Sequence, residues 1–385
     1  MGVRILRTGD SDEWMAILKE AWQYDFHHLP QYHRVAERHG EGIAHLFVYR
    51  EGVHMIALPL LLRPVDPAEP GGWQDATSVY GYGGPVASDD AVPEAVARNF
   101  RTALAETLAE RRVVTVFSRL HPLIAQPKIL AGLGECLANG TTISIDLTLS
   151  DEEQRAQYSK SCRTSIRKLH ELGFIGWHDR EMEHLDEFRE VYDETMRRVG
   201  APSSYCFDKG YFDLFTRELR NVSHLFAALK DGEIAAATLC TICDGIVQDH
   251  LGGTRDAFLK FSPDRLVVDT ERIWAKEMGA RVFHLGGGVG SQQDSVFHYK
   301  AGFSSTRHTF ATLRWVLRYD IYEELVAKKE RWNQANAVRL SCAGFFPAYR
   351  CPTIPTGESE TVCRTREHRP GIRVLGTEQA GGLTQ

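Results

Sequence analysis

The sequence of 385 residues predicts an α/β fold laid down twice in tandem. Three observations lead there. Two segments, HLFVYREGVHMIALPLLL from His45 and HLFAALKDGEIAAATLCTI from His224, each begin His-Leu-Phe, turn at an acid-glycine pair and enter a second apolar run. Each is followed by a strand-like stretch with paired glycines, SVYGYGGPV or VQDHLGGT, then by a helical stretch and a further apolar strand, RVVTVFSRL or RVFHL. The two copies of this order (hairpin, strand, Gly-Gly turn, helix, strand) lie roughly 180 residues apart, which fits a duplicated domain rather than a solenoid with its period of about 20–50.

The hairpins turn at Glu51-Gly52 and Asp231-Gly232 because glycine takes positive φ without a steric penalty. The first helix of the repeat falls near 93–110. The second falls over about 264–279, opened by Ser262-Pro263 and closed by Met278-Gly279. Between the halves, 150–220 reads as helices. SDEEQRAQYSKSCRTSIRKLHELG starts with the capping box Ser150 and Glu153 and stops at Gly173, predicting one helix over 153–172. EHLDEFREVYDETMRRVG and KGYFDLFTREL supply two more. A long helix is predicted over 319–340, and 350–385, rich in Pro, Thr, Gly and Glu, is expected to be a flexible tail. The expected division is 1–149, completed by the helix 319–340, followed by 150–318.

Hydrophobic content of 43% and charged content of 25% are those of a soluble globular protein. A formal charge of −6 argues against a chain coated for DNA, while leaving room for one local basic groove. No stretch reaches the roughly 20 apolar residues of a membrane span. Asp10, Asp12 and Glu13 interrupt any signal-peptide core, so a cytoplasmic protein with its eight cysteines reduced is expected. Cys240 and Cys243 form a CxxC, but in an apolar run that reads as a strand.

Three features carry candidate chemistry. On the helix 153–172, Lys160, Arg163, Arg167 and His170 share one stripe, with Arg155 and Lys168 adding to the cations; Tyr158, Cys162, Ile166, Leu169 and Leu172 fall opposite. No acid lies between Glu153 and Glu171, and an unneutralised stripe suits a polyanion. In GGGVGSQQDSVFHYKAGF, Gly286, Gly287 and Gly288 end a strand, Asp294 or Ser291 caps a short helix, and Lys300 follows. Glycines admit a ligand to the backbone, exposed N–H groups bind anions and the lysine adds a compact charge. The third is the set His27, His28, His33 and His39, with Tyr80 and Tyr82 as the floor of a substrate pocket rimmed by His and aromatic side chains. His33 and His39 are not at i,i+4 spacing and no nearby acid completes a metal set, so no metal is expected. With no Ser-His-Asp or Cys-His order in view, acyl transfer from an already activated donor is the chemistry expected.

These pieces resemble the FemABX group of aminoacyl-tRNA-dependent ligases and the related acyltransferases with two fused GNAT-like domains. SKSCRTSIRKLHELGF is similar to that group's basic helix, FSPDRLVVDTERIWAKEMGARVFHLGGG to its Pro-headed helix and Gly-rich strand end, and DSVFHYKAGF to its Phe-x-aromatic-Lys-x-Gly-Phe signature; SVYGYGGPV resembles its first-domain strand. The resemblance implies two tandem GNAT-like domains, each a mixed twisted sheet flanked by helices, and N-acyl transfer. It places Lys300 beside the acceptor or the reacting carbonyl, with Tyr80, Tyr82, His28, Gly287, Gly288 and Asp294 around the substrate. Lys160, Arg163, Arg167 and Lys168 would meet donor phosphates. The implied co-substrate is aminoacyl-tRNA, with no metal or other cofactor, and the alternative donor is acyl-CoA. The coiled-coil arm of some cell-wall members is missing, which points to a small-molecule or peptide amine as acceptor.

Overall fold

The computed structural model describes residues 2–355 apart from 70, 125–126, 203–204, 337 and 341–343. The first half begins with β1 (Arg4–Leu6), α1 (Ser11–Glu20) and α2 (Pro30–Arg38), followed by the hairpin β2 (Ile43–Glu51) and β3 (His54–Pro64). Then come β4 (Gln74–Thr77), β5 (Val86–Ala87), α3 (Glu94–Glu110), β6 (Val113–Leu120), α4 (Pro127–Leu130) and β7 (Glu135–Asp146). The second half opens with α5 (Asp151–Gln157), α6 (Lys160–Glu171), β8 (Ile175–Asp179), α7 (Leu185–Arg198) and α8 (Lys209–Glu218). It continues with the hairpin β9 (Ser223–Lys230) and β10 (Glu233–Cys243), then β11 (Ile246–Thr254), α9 (Asp264–Glu277), β12 (Val282–Gly286), α10 (Ser295–Ala301) and β13 (Arg307–Val316). α11 (Tyr319–Ala335), β14 (Val338–Leu340) and β15 (Thr353–Pro355) close the described chain.

Among the described residues the strands form one mixed thirteen-stranded sheet in the order β1-β2-β3-β4-β6-β13-β7-β12-β11-β10-β9-β8, with β5 on β3. Helices flank it, as the α/β expectation requires. Two pairs are parallel, β4 with β6 and β11 with β12, and each is bridged by one helix, α3 or α9. The halves exchange strands at the centre. β7, from the end of the first half, lies against β12, while β13, from the end of the second, lies against β6. One apolar cluster joins the halves, with Trp14, Phe26 and Tyr32 packed beside Phe212, Phe215 and Tyr192. Each half also has a cluster of its own, around Phe100 under α3 and around Phe283 under α6 and α9.

Both predicted hairpins form, with Gly52 at φ +59° and Asp231-Gly232 at +53° and +86° in their two-residue turns. The predicted helix over 153–172 is two helices. Tyr158 is extended because its buried hydroxyl donates to Asp269 at 2.8 Å, and Ser159 caps a new start through the Cys162 N–H. Gly173, at φ +79°, ends α6 as expected. SVYGYGGPV is a loop apart from its last residue, the strand having ended at Thr77. Gly252-Gly253 lies inside β11 rather than in a turn, and position 253 is glycine because a Cβ there would come within 2.8 Å of the Val191 backbone on α7.

The helix predicted to 340 stops at Ala335, and Val338–Leu340 pairs with β15. Residues 346–351 are packed rather than loose. Arg350 donates to the fully buried Asp75 at 2.6 Å, and the Tyr349 hydroxyl meets Thr115 at 3.0 Å. The rest of the predicted tail, 356–385, lies outside the described residues. Cys206 is disulfide-bonded, against the expectation of reduced thiols throughout; Cys136, Cys162, Cys240 and Cys243 are free.

Asp75 also accepts from Arg63 at 2.7 Å, so its loss leaves two guanidinium groups without their anion. Because both arginines are partly exposed, Asp75→Ala is expected to lower unfolding free energy by about 2 kcal/mol, read from urea midpoints.

Candidate active site

β11 and β12 run in register as far as Gln248 opposite His284, and then part. β11 carries a bulge there, with Cys240 opposite Asp249 and Leu239 opposite Leu251, so that His250 is the extra residue. β12 ends at Gly286 with φ +78°, a left-handed conformation that favours glycine. A Cβ at Gly286 would lie 3.2 Å from the Lys300 Nζ and 3.3 Å from the Tyr82 hydroxyl, so both groups bracket one point at the strand end. Tyr82 comes from the first half and Lys300 from the second. The Lys300 ammonium stands 3.9 Å from the Asp249 carboxylate. Burial pushes Tyr82 up to about 12, partly offset by the Gly287 N–H that donates to its oxygen, so the phenol stays neutral and keeps its proton to donate. Burial also raises Asp249, and Lys300 opposes that rise.

Beneath Tyr82 lies a buried hydrogen-bond hub. Asp25, with no exposure, accepts at Oδ2 from His27 Nδ1 at 2.9 Å, His121 Nε2 at 2.9 Å and Gln248 Nε2 at 2.7 Å, and at Oδ1 from the Phe26 N–H at 2.6 Å. Gln248 Oε1 in turn accepts from His284 Nδ1 at 2.7 Å. Burial alone would raise the Asp25 carboxyl; the hydrogen bonds from His121 and His27 reverse that and hold it far below the usual range. Tyr82 meets His284, His27 and His121 edge-on, at 4.9, 5.7 and 6.1 Å between ring centres.

Asp25, His27 and His121 bring their ligand atoms within 4.8 Å of one another, a spacing that also suits a metal ion. The tautomer of His121 argues otherwise. Its Nδ1 accepts the Leu123 N–H at 3.1 Å, so the ring proton sits on Nε2, where it donates to Asp25 and leaves no lone pair for a metal.

The structure gathers Lys300, Tyr82 and Gly287 of the predicted site residues. Tyr80 lies at the rim, over a third exposed, edge-on to Tyr205 at 6.0 Å, with the Arg119 guanidinium 5.9 Å from its ring centre. Gly288 and Asp294 serve the turn. Asp294 accepts the Phe297 N–H at 2.9 Å on Oδ1, capping α10, and the Val289 N–H at 3.1 Å on Oδ2, closing the preceding turn, which employs both oxygens. His28 is wholly buried, its Nδ1 taking the Asp25 N–H, rather than rimming a pocket.

The α6 cations divide. Arg163 turns back onto the carbonyls of Arg155, Ala156 and Tyr158, closing α5, and Arg167 pairs with Glu171 at 3.4 Å. Lys160 and Lys168 are exposed. Among the described residues, no hydrogen bond or ion pair joins any of them to Lys300. Asp25, His121, Gln248, Asp249 and His284 went unread in the sequence. For Gln248, Asp249 and His284 the signal was weak, polar residues inside the apolar strands IVQDHL and VFHLG; Asp25 and His121 lie outside strands and carried none.

A split pair of parallel strands with a bulge, a glycine strand end and converging donors defines an acyltransferase of the GNAT fold. Residues 156–301 match a family model described as an acetyltransferase (GNAT) domain. The structure resembles that of FemX at TM-score 0.66 and 14% identity, covering 84% of this chain and 99% of that one. It also resembles L-PGS from Bacillus licheniformis, at 0.51 and 14%, covering 82% and 94%. A third is the C-terminal domain (DUF2156) of a protein assigned as a lysylphosphatidylglycerol synthetase from Agrobacterium fabrum, at 0.51 and 12%, covering 80% and 91%. At these identities the likeness is one of fold. No curated protein matches the sequence.

Gly286→Ala forces a side chain into a left-handed residue against Lys300. It is expected to cost about 1 kcal/mol of stability and to lower kcat far more than the folded fraction, as single-turnover rates beside circular dichroism will show. Burial lowers His28 to about 3 and His33 to about 4. Each stays neutral when folded but takes a proton near pH 6.5 when unfolded. Their contribution is therefore present above that pH and lost as pH falls toward 3–4. His28→Asn, which keeps an acceptor for the Asp25 N–H, is expected to remove about 2 kcal/mol of the stability lost between pH 6.5 and 5, measured by denaturant titration at each pH.

Proposed function

We propose that this protein is an aminoacyl-tRNA-dependent aminoacyltransferase that forms an amide on the amine of a small metabolite or peptide. The observation behind this is the convergence of the Lys300 ammonium, the Tyr82 hydroxyl and the Asp249 carboxylate at the Gly286 strand end. The acceptor amine attacks the ester carbonyl of the charged tRNA. Lys300 and the Tyr82 O–H donate to the developing oxyanion. Asp249, whose raised pKa brings it closer to neutrality, takes the amine proton. The C–N bond forms, the C–O ester bond breaks, and the proton passes to the departing ribose hydroxyl. Orientation and charge stabilisation suffice because the donor is already activated.

The choice of donor is supported by the turn from β11 to α9, where a CoA pyrophosphate would be cradled. Glu187, Glu190, Glu194 and Glu233 crowd Arg255 there at 3.4–3.8 Å. α9 is preceded by Pro263, which has no N–H, and begins at Asp264. Carboxylates at that turn repel a polyphosphate, while exposed Lys160 and Lys168 remain available to an RNA backbone. The acetyltransferase domain match favours acyl-CoA as a second reading.

Incubation of the full chain with charged total tRNA or CoA thioesters and a panel of amines, read by mass spectrometry, separates the two. Product that needs charged tRNA and vanishes after RNase treatment is expected; product from thioesters that survives RNase overturns the proposal. Lys300→Met is expected to lower kcat roughly 10²-fold. Activity should rise with pH as Asp249 ionises, and Asp249→Asn should abolish that rising limb in kcat/KM. Lys160→Glu with Lys168→Glu should lower the slope of log affinity for tRNA against log salt by about one to two.

A further inference from the structure

Away from the cleft, a cavity of about 570 Å3 opens at the far edge of the second half, between α6, β8 and α9. Its walls are aromatic. The His178 imidazole stacks on Phe226 at 4.2 Å and 12°, and Trp274 stands 5.2 Å from His178 and 5.1 Å from Phe226. Both ring nitrogens of His178 are without a hydrogen-bond partner. A buried donor and acceptor left unpaired carry a standing penalty that a ligand with a matching edge would remove. Three basic side chains, Arg155, His170 and Arg180, line the same cavity and are exposed. Two acids share the lining. Asp269 is already taken by the Tyr158 hydroxyl at 2.8 Å and Arg272 at 3.1 Å, and Arg155 approaches it at 3.8 Å; Glu277 lies at the exposed end. The rim therefore keeps a positive excess over a flat aromatic floor.

Flat walls, a two-nitrogen edge and cations at the mouth together recognise a planar heterocycle carrying an anion. We propose that this cavity binds a nucleobase bearing a phosphate, with the base against Trp274 and the edge of His178 and the phosphate toward Arg155, His170 and Arg180. Burial lowers His178, which keeps the ring neutral, with one N–H and one lone pair to offer. Two sources share that chemistry: a free nucleotide, or the single-stranded end of an RNA. α6 links the cavity to the cleft. His170 lines the cavity near the helix's last turn, while the N–H of Ser159, its cap, donates to the Gly302 carbonyl at 2.8 Å, two residues after Lys300. The helix between them is about 18 Å long, a span that a few nucleotides can bridge.

Calorimetric titration of the full chain with AMP, and separately with a four-nucleotide single-stranded RNA, tests this. Saturable one-to-one binding is expected, weakened roughly tenfold by Trp274→Leu through lost stacking. Arg180→Glu, at an exposed position that leaves the core intact, is expected to weaken it similarly. AMP binding as tightly as the RNA identifies a free nucleotide as the ligand; tighter RNA binding with a steeper salt dependence identifies a strand end. No saturable binding of either probe, or binding unchanged in both variants, overturns the assignment. Transfer is assayed in parallel. An enzyme that uses only thioesters yet binds AMP through Trp274 keeps this site and loses the tRNA donor, whereas tRNA-dependent transfer without Trp274-sensitive binding does the reverse.

Discussion

The buried Asp25 carboxylate holds the site together. A fully buried charge is tolerated only when several donors surround it, and Asp25 draws them from separate parts of the chain: the turn before α2, the residue after β6, and β11. Three donors, the His27 and His121 rings and the Phe26 N–H, belong to the first half and one, Gln248, to the second, so the charge can be satisfied in full only when the halves are docked. The Gln248 amide that completes the set also fixes His284, its partner across the last in-register rung of β11 and β12. The point where those strands part is thus tied to the same carboxylate, and Tyr82 rests its ring on the imidazoles that serve it.

The exchange of β7 and β13 has a related consequence. Each half contains a parallel pair bridged by a helix, and a strand with only one neighbour would leave a row of backbone groups unpaired. Each half fills that position with a strand belonging in sequence to the other. The sheet becomes continuous, and the cleft takes residues from both copies: a hydroxyl donor on the SVYGYGGPV loop of the first, an ammonium and a carboxylate on α10 and β11 of the second. A duplicated fold acquires an asymmetric site in this way, since the two halves meet at one face and contribute different chemistry to it.

α6 shows where periodicity misleads. The helical wheel divides most of it correctly, with Cys162, Ile166 and Leu169 buried and the cations outward, but Leu172, assigned to the apolar face, is exposed at the helix end. It does not foresee that Tyr158 breaks the helix, and that break turns Arg163 into the cap of α5. Periodicity registers which face is apolar; it carries no information about which backbone carbonyls a neighbouring helix end leaves open. Asp294 follows the same logic, since it spends one oxygen on the cap of α10 and the other on the turn before it.

By itself the sequence determined the α/β class, the doubled order of hairpin, strand, helix and strand, and the glycine strand end before Lys300. These are local properties, written in alternation, in turn residues and in glycine's access to positive φ. Tertiary structure alone decided that Tyr82 faces Lys300 across the junction, that Asp249 joins them on a bulge, and that Asp25, His121, Gln248 and His284 form one network. The residues of that network lie up to 259 positions apart, and no pattern within one strand records what stands opposite it on another. Gln248 and His284, solitary polar residues in apolar strands, were the visible trace of that network, and only the packing of the two halves joins them to Asp25 and His121.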